Sequence, residues 1–383
     1  MQRHILFLAI SLTLAAGCKP RTIAEKTKLQ SKLDSLITEV HLADDFHGTL
    51  VVGSKDSVFF EKAIGIANRV WNIPMHLDHR FDVCSINKSF ISSLVLMAVE
   101  EGRLALEDKL VDRISHFEYT GNFDPHITIH HMLCHLSGIS DYTQVADTLL
   151  ENDARLFKRK HFSNAQYVNF ISQLPSLGKV DSQFYYSNFA YHLLSIILED
   201  VYQQPFAELL DQKICKPLGL KHTFSTISDT EVFENTVEAY NYSPSTAKWN
   251  RNKFIDLTLG RRIFSSAYDL YLWGREVSSP TLLSQQSTQL MMTNHTYGVV
   301  PNISYGYGWV VFDGRGAYQM GNLEIDKKYI IHGGSTEGFK SMLINIEEGE
   351  YIVALLSNTG DQINEMTLAS KIVKVLIELE NEN

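Results

Sequence analysis

Four residues, Ser85-Ile86-Asn87-Lys88, place a hydroxyl and an amine three positions apart. On a helix those positions share a face, one turn apart. A serine hydroxyl is a weak nucleophile until a base takes its proton, and a desolvated lysine can serve as that base. A serine in the first turn also sits at the positive end of the helix dipole, which favours developing negative charge. The Ser-x-x-Lys pattern recurs at Ser176 and Ser245. Each of those follows a proline in polar or glycine-containing surroundings and reads as a loop.

Three other stretches carry reactive side chains. Tyr185-Tyr186-Ser187-Asn188 offers Tyr186, a phenol able to act as base or acid beside a lysine, and Asn188, an amide able to orient a lysine and a substrate carbonyl. Tyr329-Ile330-Ile331-His332-Gly333-Gly334-Ser335 is an apolar strand running into a histidine and two glycines, where backbone can approach a ligand closely. Ile127 to His135 holds His131 and His135 one helical turn apart, a zinc-ligand spacing, with Cys134 between them. The glutamate of the zinc-protease pattern is missing, since Met132 follows His131.

The elements that must position these groups follow from apolar spacing. Ile91, Leu94, Val95 and Ala98 form one helical stripe, so residues 85–101 are expected as a buried helix stopped by Gly102, preceded by an extended stretch, Arg80 to Cys84. Cys84 reads as a small buried residue at that strand-to-helix turn. Residues 22–43 read as an amphipathic helix, and 46–53 with 57–64 as a hairpin. Helices are expected at 127–136, 164–174, 189–202, 206–214 and 266–276. Residues 222–260 read as polar and irregular, anchored by Trp249. Strands are expected at 305–312, 328–332, 339–346 and 351–358, then a helix at 364–379. The fold class is therefore α+β. One antiparallel sheet is built from both ends of the chain (about 25–80 and 305–383), flanked by the N- and C-terminal helices, with a mainly helical insertion (about 81–304).

Of 383 residues 44% are hydrophobic and 20% charged, with a net charge of −10. This is globular composition, and its acidic balance excludes non-specific nucleic-acid binding. Met1 to His4 is a short basic segment and Ile5 to Ala16 an apolar run too short to span a bilayer. Ala15-Ala16-Gly17-Cys18 resembles a bacterial lipoprotein signal. The expected layout is a signal peptide over 1–17, a lipid-modified Cys18 with a linker to residue 24, and one catalytic domain over 25–383. The protein is then expected in the bacterial cell envelope, periplasmic or outer-membrane facing, with its membrane contact through the anchor. Removing Cys18 leaves Cys84, Cys134 and Cys215, too few and too scattered for a disulfide framework.

Ser85-Ile-Asn-Lys88, Tyr186-Ser-Asn188 and His332-Gly-Gly334, in that order, resemble the serine β-lactamase and penicillin-binding-protein superfamily, in its class C β-lactamase, DD-peptidase and esterase branch. Residues 127–138, Tyr186 to Leu194, Pro217 to Leu220, Tyr305 to Trp309 and Gly338-Phe339 are similar to the same branch, so the likeness covers about 25–380. It implies a β-lactamase/transpeptidase-like fold, no cofactor and no metal, and a small-molecule or peptide substrate, with a monomer the expected state. It further implies Ser85 as acylated nucleophile, Lys88 and Tyr186 sharing general-base work, and Asn188 on the acyl side of the substrate. The oxyanion would lie between the N–H groups of Ser85 and Ser335, and His332 would supply a hydrogen bond or positive charge beside Tyr186. Gly333, with Gly334 and Ser335, would line the substrate site, but Gly333 replaces the usual threonine or serine that helps hold a substrate carboxylate. Its absence favours esters or amides over β-lactams and D-alanyl peptides. Arg261 and Arg262 either contact an anionic substrate or are paired at the surface. Two other readings stand beside this one: a catalytically weak peptidoglycan-binding protein, and a metal hydrolase at His131 and His135.

Overall fold

The computed structural model describes residues 23–43, 46–142, 145, 161–228, 231–251, 261–314, 320–336 and 338–381. Cys18 and the proposed signal lie outside them. The strands of the main sheet are β1 (Gly48–Gly53), β2 (Val58–Ile64), β6 (Val310–Phe312), β7 (Tyr329–Thr336), β8 (Phe339–Ile346) and β9 (Tyr351–Ser357). The intervening β3 (Phe81–Asp82), β4 (Phe224–Thr226) and β5 (Arg262–Ser265) form a second, small sheet. The helices that matter for the site are α1 (Ile23–Leu42), α2 (Asn87–Glu100), α3 (Ile129–Leu133), α4 (Asn188–Tyr202), α5 (Ala267–Ser278) and α6 (Glu365–Asn381).

The main sheet runs β6-β7-β8-β9-β1-β2, with every neighbouring pair antiparallel. Both its faces are covered, and strand alternation divides the side chains between them. Leu50, Val52, Ile344, Val353 and Leu355 pack with Leu33, Ile37, Leu368, Ile372 and Leu376 of α1 and α6. Val51, Leu343, Ile352, Ala354 and Leu356 pack with Trp273 of α5 and the interior of the helical region. Burial on both faces is why these strands read as continuous apolar runs. This is the α+β architecture expected, with strands from both ends of the chain and terminal helices on one face.

Residues 222–251 depart from the expectation. They hold β4 and a hairpin pairing Tyr240–Ser243 with Lys248–Arg251. Phe224, not only Trp249, anchors this region: it stacks on Phe233 and Phe264 with ring centroids 4.0 and 5.2 Å away. Trp249 instead carries the Arg69 guanidinium 3.7 Å above its ring. These strands are three or four residues long, too short to leave a period in the sequence.

Arg261 and Arg262 are corrected as well. Both are buried and paired inside the fold. Arg261 bonds Glu199 through Nε and Nη2, at 3.2 and 2.6 Å, and reaches Asn164 Oδ1 at 2.8 Å. Arg262 forms an ion pair with Asp82, and the two side chains are 5% and 1% exposed. Asp82 also accepts the Cys84 N–H at 2.7 Å, so the pair anchors the turn that leads into α2. Arg262→Leu leaves a carboxylate buried without its countercharge and is expected to cost about 3–5 kcal/mol. Equilibrium urea unfolding measures this, and a loss under about 1 kcal/mol would contradict a stabilising ion pair at this site.

Candidate active site

From Phe81 to Ala98 every residue is buried except Ser85. Three local features bring this single side chain out. Asp82 Oδ1 captures the Cys84 N–H. Cys84 is held at φ +52°, the left-handed region, and Cys84–Ile86 form a 3₁₀ turn before α2 begins at Asn87. Such a backbone costs of order 1–3 kcal/mol at a residue other than glycine and persists only where packing enforces it. Here the Cys84 thiol is fully enclosed, and burial pushes its pKa up to about 12, which makes it an inert packing group.

The enforcing element is β7. Its outer edge pairs with β6 only at Tyr329, Ile330 and Ile331, so among the described residues His332 to Thr336 form a free edge. Gly334 lies against the Ser85 turn. A Cβ there would stand 2.7 Å from the Ser85 nitrogen and 2.5 Å from both Cys84 Cβ and Ser341 Oγ. Ser341, opposite Gly334 on β8, donates to the Val83 carbonyl at 2.7 Å and ties the sheet to the same turn. The first turn before α2 and the middle of β7 are therefore packed directly against each other at the Ser85 nitrogen.

Lys88 follows one turn on and is 2% exposed. Its Nζ donates to Asn188 Oδ1 at 2.7 Å and lies 4.9 and 5.5 Å from the ring centroids of Tyr186 and Tyr191. Gly308, at φ +75°, passes so close to α2 that a Cβ would be 2.6 Å from the Lys88 carbonyl oxygen. Tyr186 is half-buried, with the His135 ring 4.3 Å away, centroid to centroid. Ser187 caps α4 by accepting the Ala190 N–H at 3.0 Å, which explains why the helix begins at Asn188.

His332 is enclosed behind these groups. It is 5% exposed, and burial, with the Lys88 charge second, lowers its pKa to about 3. Its Nδ1 donates to the Gly333 carbonyl at 2.7 Å, so the neutral ring accepts the Tyr305 hydroxyl at Nε2, 3.0 Å away. A cationic His332 is thus excluded by desolvation, and both ring nitrogens are already engaged. Gly333 is partly exposed, and a Cβ there would first meet Met342 Cε at 3.0 Å.

The two histidines at zinc-ligand spacing do structural work. The His131 Nδ1 accepts the Thr128 N–H at 3.1 Å in a capping box, and its Nε2 meets Asp181 at 3.1 Å. His135 sits at φ +60° and accepts the Ser187 N–H on Nδ1 at 3.1 Å. Among the described residues no group of three or more histidine, cysteine or acidic side chains is placed to hold a metal.

Residues 34–374 match the sequence model of the family described as Beta-lactamase. The chain belongs to that family. It is similar to Penicillin-binding protein 4* of Bacillus subtilis (strain 168), with 22% identity over 356 residues that cover 87% of this chain and 72% of the relative. D-amino acid amidase from Ochrobactrum anthropi SV3, solved with L-phenylalanine amide, shares the fold at a TM-score of 0.72 and 18% identity, over 93% of this chain and 99% of that one. EstCE1, described as a hydrolase with promiscuous acyltransferase activity, matches at a TM-score of 0.73 and 19% identity, over 92% and 99%. The beta-lactamase family and these neighbours are serine hydrolases, and the superfamily resemblance carried by the motifs is correct.

Within this beta-lactamase-family fold, Ser85, Lys88, Tyr186, Asn188 and the Gly333–Ser335 edge converge. His332 stands behind them on Tyr305. Sequence reasoning missed Asp141, which binds Asn188, and the positioning contacts of His135, Ser341 and Gly308. A lone aspartate, serine or glycine leaves no signal of its contacts in a single sequence. Gly334→Ala is expected to cost about 1–3 kcal/mol through overpacking, and to slow Ser85 labelling by a fluorophosphonate. Gly333→Ala meets only the flexible end of Met342 and is expected to cost less. Thermal unfolding of the two variants side by side checks this, and equal losses would contradict the close approach at Gly334.

Proposed function

We propose that the protein is an exported serine hydrolase that forms an acyl-enzyme at Ser85 and acts on uncharged esters or amides. The observation that carries this reading is the exposure of Ser85 alone from an otherwise buried turn, with its nitrogen packed against Gly334 of β7. In the proposed reaction Ser85 Oγ attacks the substrate carbonyl. Its proton passes to the Lys88–Tyr186 pair, and the carbonyl oxygen takes the N–H groups of Ser85 and Ser335. Tyr186 returns the proton to the leaving group, and water then releases the acyl chain. Asn188 receives the acyl side of the substrate.

The substrate class follows from what the third motif lacks. Recognition of a free carboxylate needs a cation or hydroxyls beside the oxyanion site. Gly333 has no hydroxyl, and His332 is neutral with both nitrogens engaged. Neutral acyl donors fit better than β-lactams or D-alanyl peptides, in line with the hydrolase description of EstCE1.

A second reading, a penicillin- or peptidoglycan-binding protein of low turnover, is favoured by one observation: the Lys88 amine is directed to Asn188. Short-chain aryl esters, a chromogenic cephalosporin and D-amino peptides, run on wild type and Ser85→Ala, separate the two. Ester or amide turnover that disappears with Ser85→Ala is expected. Labelling of Ser85 without turnover would favour the binding protein, and turnover surviving in Ser85→Ala would remove Ser85 from the mechanism.

The same proposal places the protein in a bacterial envelope, held to a membrane surface by acyl chains on Cys18. A short linker would then join the anchor to α1, which begins at Ile23. Among the described residues no helix is long and apolar enough to cross a membrane. Cys18→Ser is expected to move the protein from the detergent-extracted membrane fraction to the soluble exported fraction. Retention in the membrane fraction would refute the anchor.

A further inference from the structure

One segment, His135 to Asp141, grips the turn that carries Tyr186 and Asn188 at successive points. The His135 carbonyl accepts the Tyr185 N–H at 2.9 Å, and the His135 ring accepts the Ser187 N–H at 3.1 Å. The Ser140 carbonyl accepts the Ser187 hydroxyl at 2.7 Å. Asp141 then takes two bonds from one residue: Asn188 N to Oδ1 at 3.0 Å and Asn188 Nδ2 to Oδ2 at 3.2 Å.

The second bond has a chemical consequence. An asparagine amide can turn over and exchange its oxygen and nitrogen with little change in shape. A carboxylate only accepts, so Asp141 holds the nitrogen of Asn188 on its own side. The oxygen then faces Lys88 Nζ, the 2.7 Å contact. A turned amide would set two donors against each other at Lys88. Of the two N–H bonds on Nδ2, Asp141 takes one, and because Asn188 is only half-buried the other remains for a ligand. Burial pushes the Asp141 carboxyl above the usual carboxylate range, and the Asn188 N–H and the Lys88 charge act against that rise.

We propose that Asp141 is a positioning residue and specificity determinant: by fixing the amide of Asn188 it makes the site present a single N–H donor to the acyl side of the substrate, and so selects acyl chains that carry a carbonyl acceptor there. This rests on the Ser85 reading above. Asp141 touches neither substrate nor the reacting atoms, and acts through Asn188 and Lys88.

Two variants test it. Asp141→Asn sets an amide with one accepting oxygen against two Asn188 donors, so Asn188 loses its fixed orientation. The doubly exchanged Asp141→Asn/Asn188→Asp chain keeps the net charge and every hydrogen-bond position. The new asparagine oxygen takes the main-chain N–H, its nitrogen donates to the new carboxylate, and the other carboxylate oxygen accepts Lys88. That site has no N–H left for substrate. The substrates are a pair of aryl esters, one with an N-acylated amino-acid acyl group and one a plain acetate, each followed as kcat/KM with thermal unfolding beside it. Asp141→Asn is expected to lower the preference for the amide-bearing ester by about 10- to 100-fold, the worth of one hydrogen bond to an ordered donor. The exchanged chain is expected to recover the unfolding midpoint lost in Asp141→Asn, but not the preference. An unchanged preference in Asp141→Asn, or a preference restored in the exchanged chain, overturns the proposal. If Asp141→Asn does not fold, the exchanged chain decides alone. Wild-type turnover that survives Ser85→Ala would be a failure of the hydrolase reading, distinct from any result on Asp141.

Discussion

The contact on which the active region depends is between a strand edge and the first turn of a helix. Gly334 of β7 leaves no room for a methyl group beside the Ser85 nitrogen, and Ser341 on the neighbouring strand holds the Val83 carbonyl from the same side. The sheet is formed from both ends of the chain, and the helix belongs to the middle. The turn bearing the serine is therefore held by strands about 250 positions later in the chain. That long-range closure is what a left-handed Cys84 and a buried Asp82–Arg262 pair lean on. Neither would hold in an isolated segment.

Electrostatically the site carries little fixed charge for its number of ionisable side chains. His135 and His332 are buried, and desolvation keeps both neutral, with the nearby Lys88 charge adding to the effect. Tyr305 is enclosed, and burial raises its pKa well above the ordinary phenol value. Lys88, beside the Tyr186 ring, is oriented by its hydrogen bond to Asn188.

Much of this was legible in the sequence where a period or a neighbour carried it. The α2 stripe singled out Ser85 among three identical patterns, because only there did a helix of buried residues follow. The sheet strands were visible for the opposite reason: being covered on both faces, they read as unbroken apolar runs. Short strands at 224–226 and 240–251 were not visible, since three or four residues cannot establish alternation. Arg262 read as a surface charge because burial of a paired ion depends on Asp82, 180 positions away. The same holds for Asp141, whose partner Asn188 meets it only once α4 is capped at Ser187. For His332 the sequence leaves a hydrogen bond and a positive charge both open, since desolvation is a property of the enclosure and not of the residue.

The two adjacent glycines of β7 differ in the room they leave for a side chain. Gly334 is closed to change, because a Cβ there would meet the Ser85 nitrogen, Cys84 Cβ and the Ser341 hydroxyl that holds Val83. Gly333 borders the end of a methionine, whose three rotatable bonds let it withdraw. A side chain with a hydroxyl could enter there without moving the main chain. Gly333 is thus open to single-step replacement on an otherwise fixed frame, beside a neighbour that can yield.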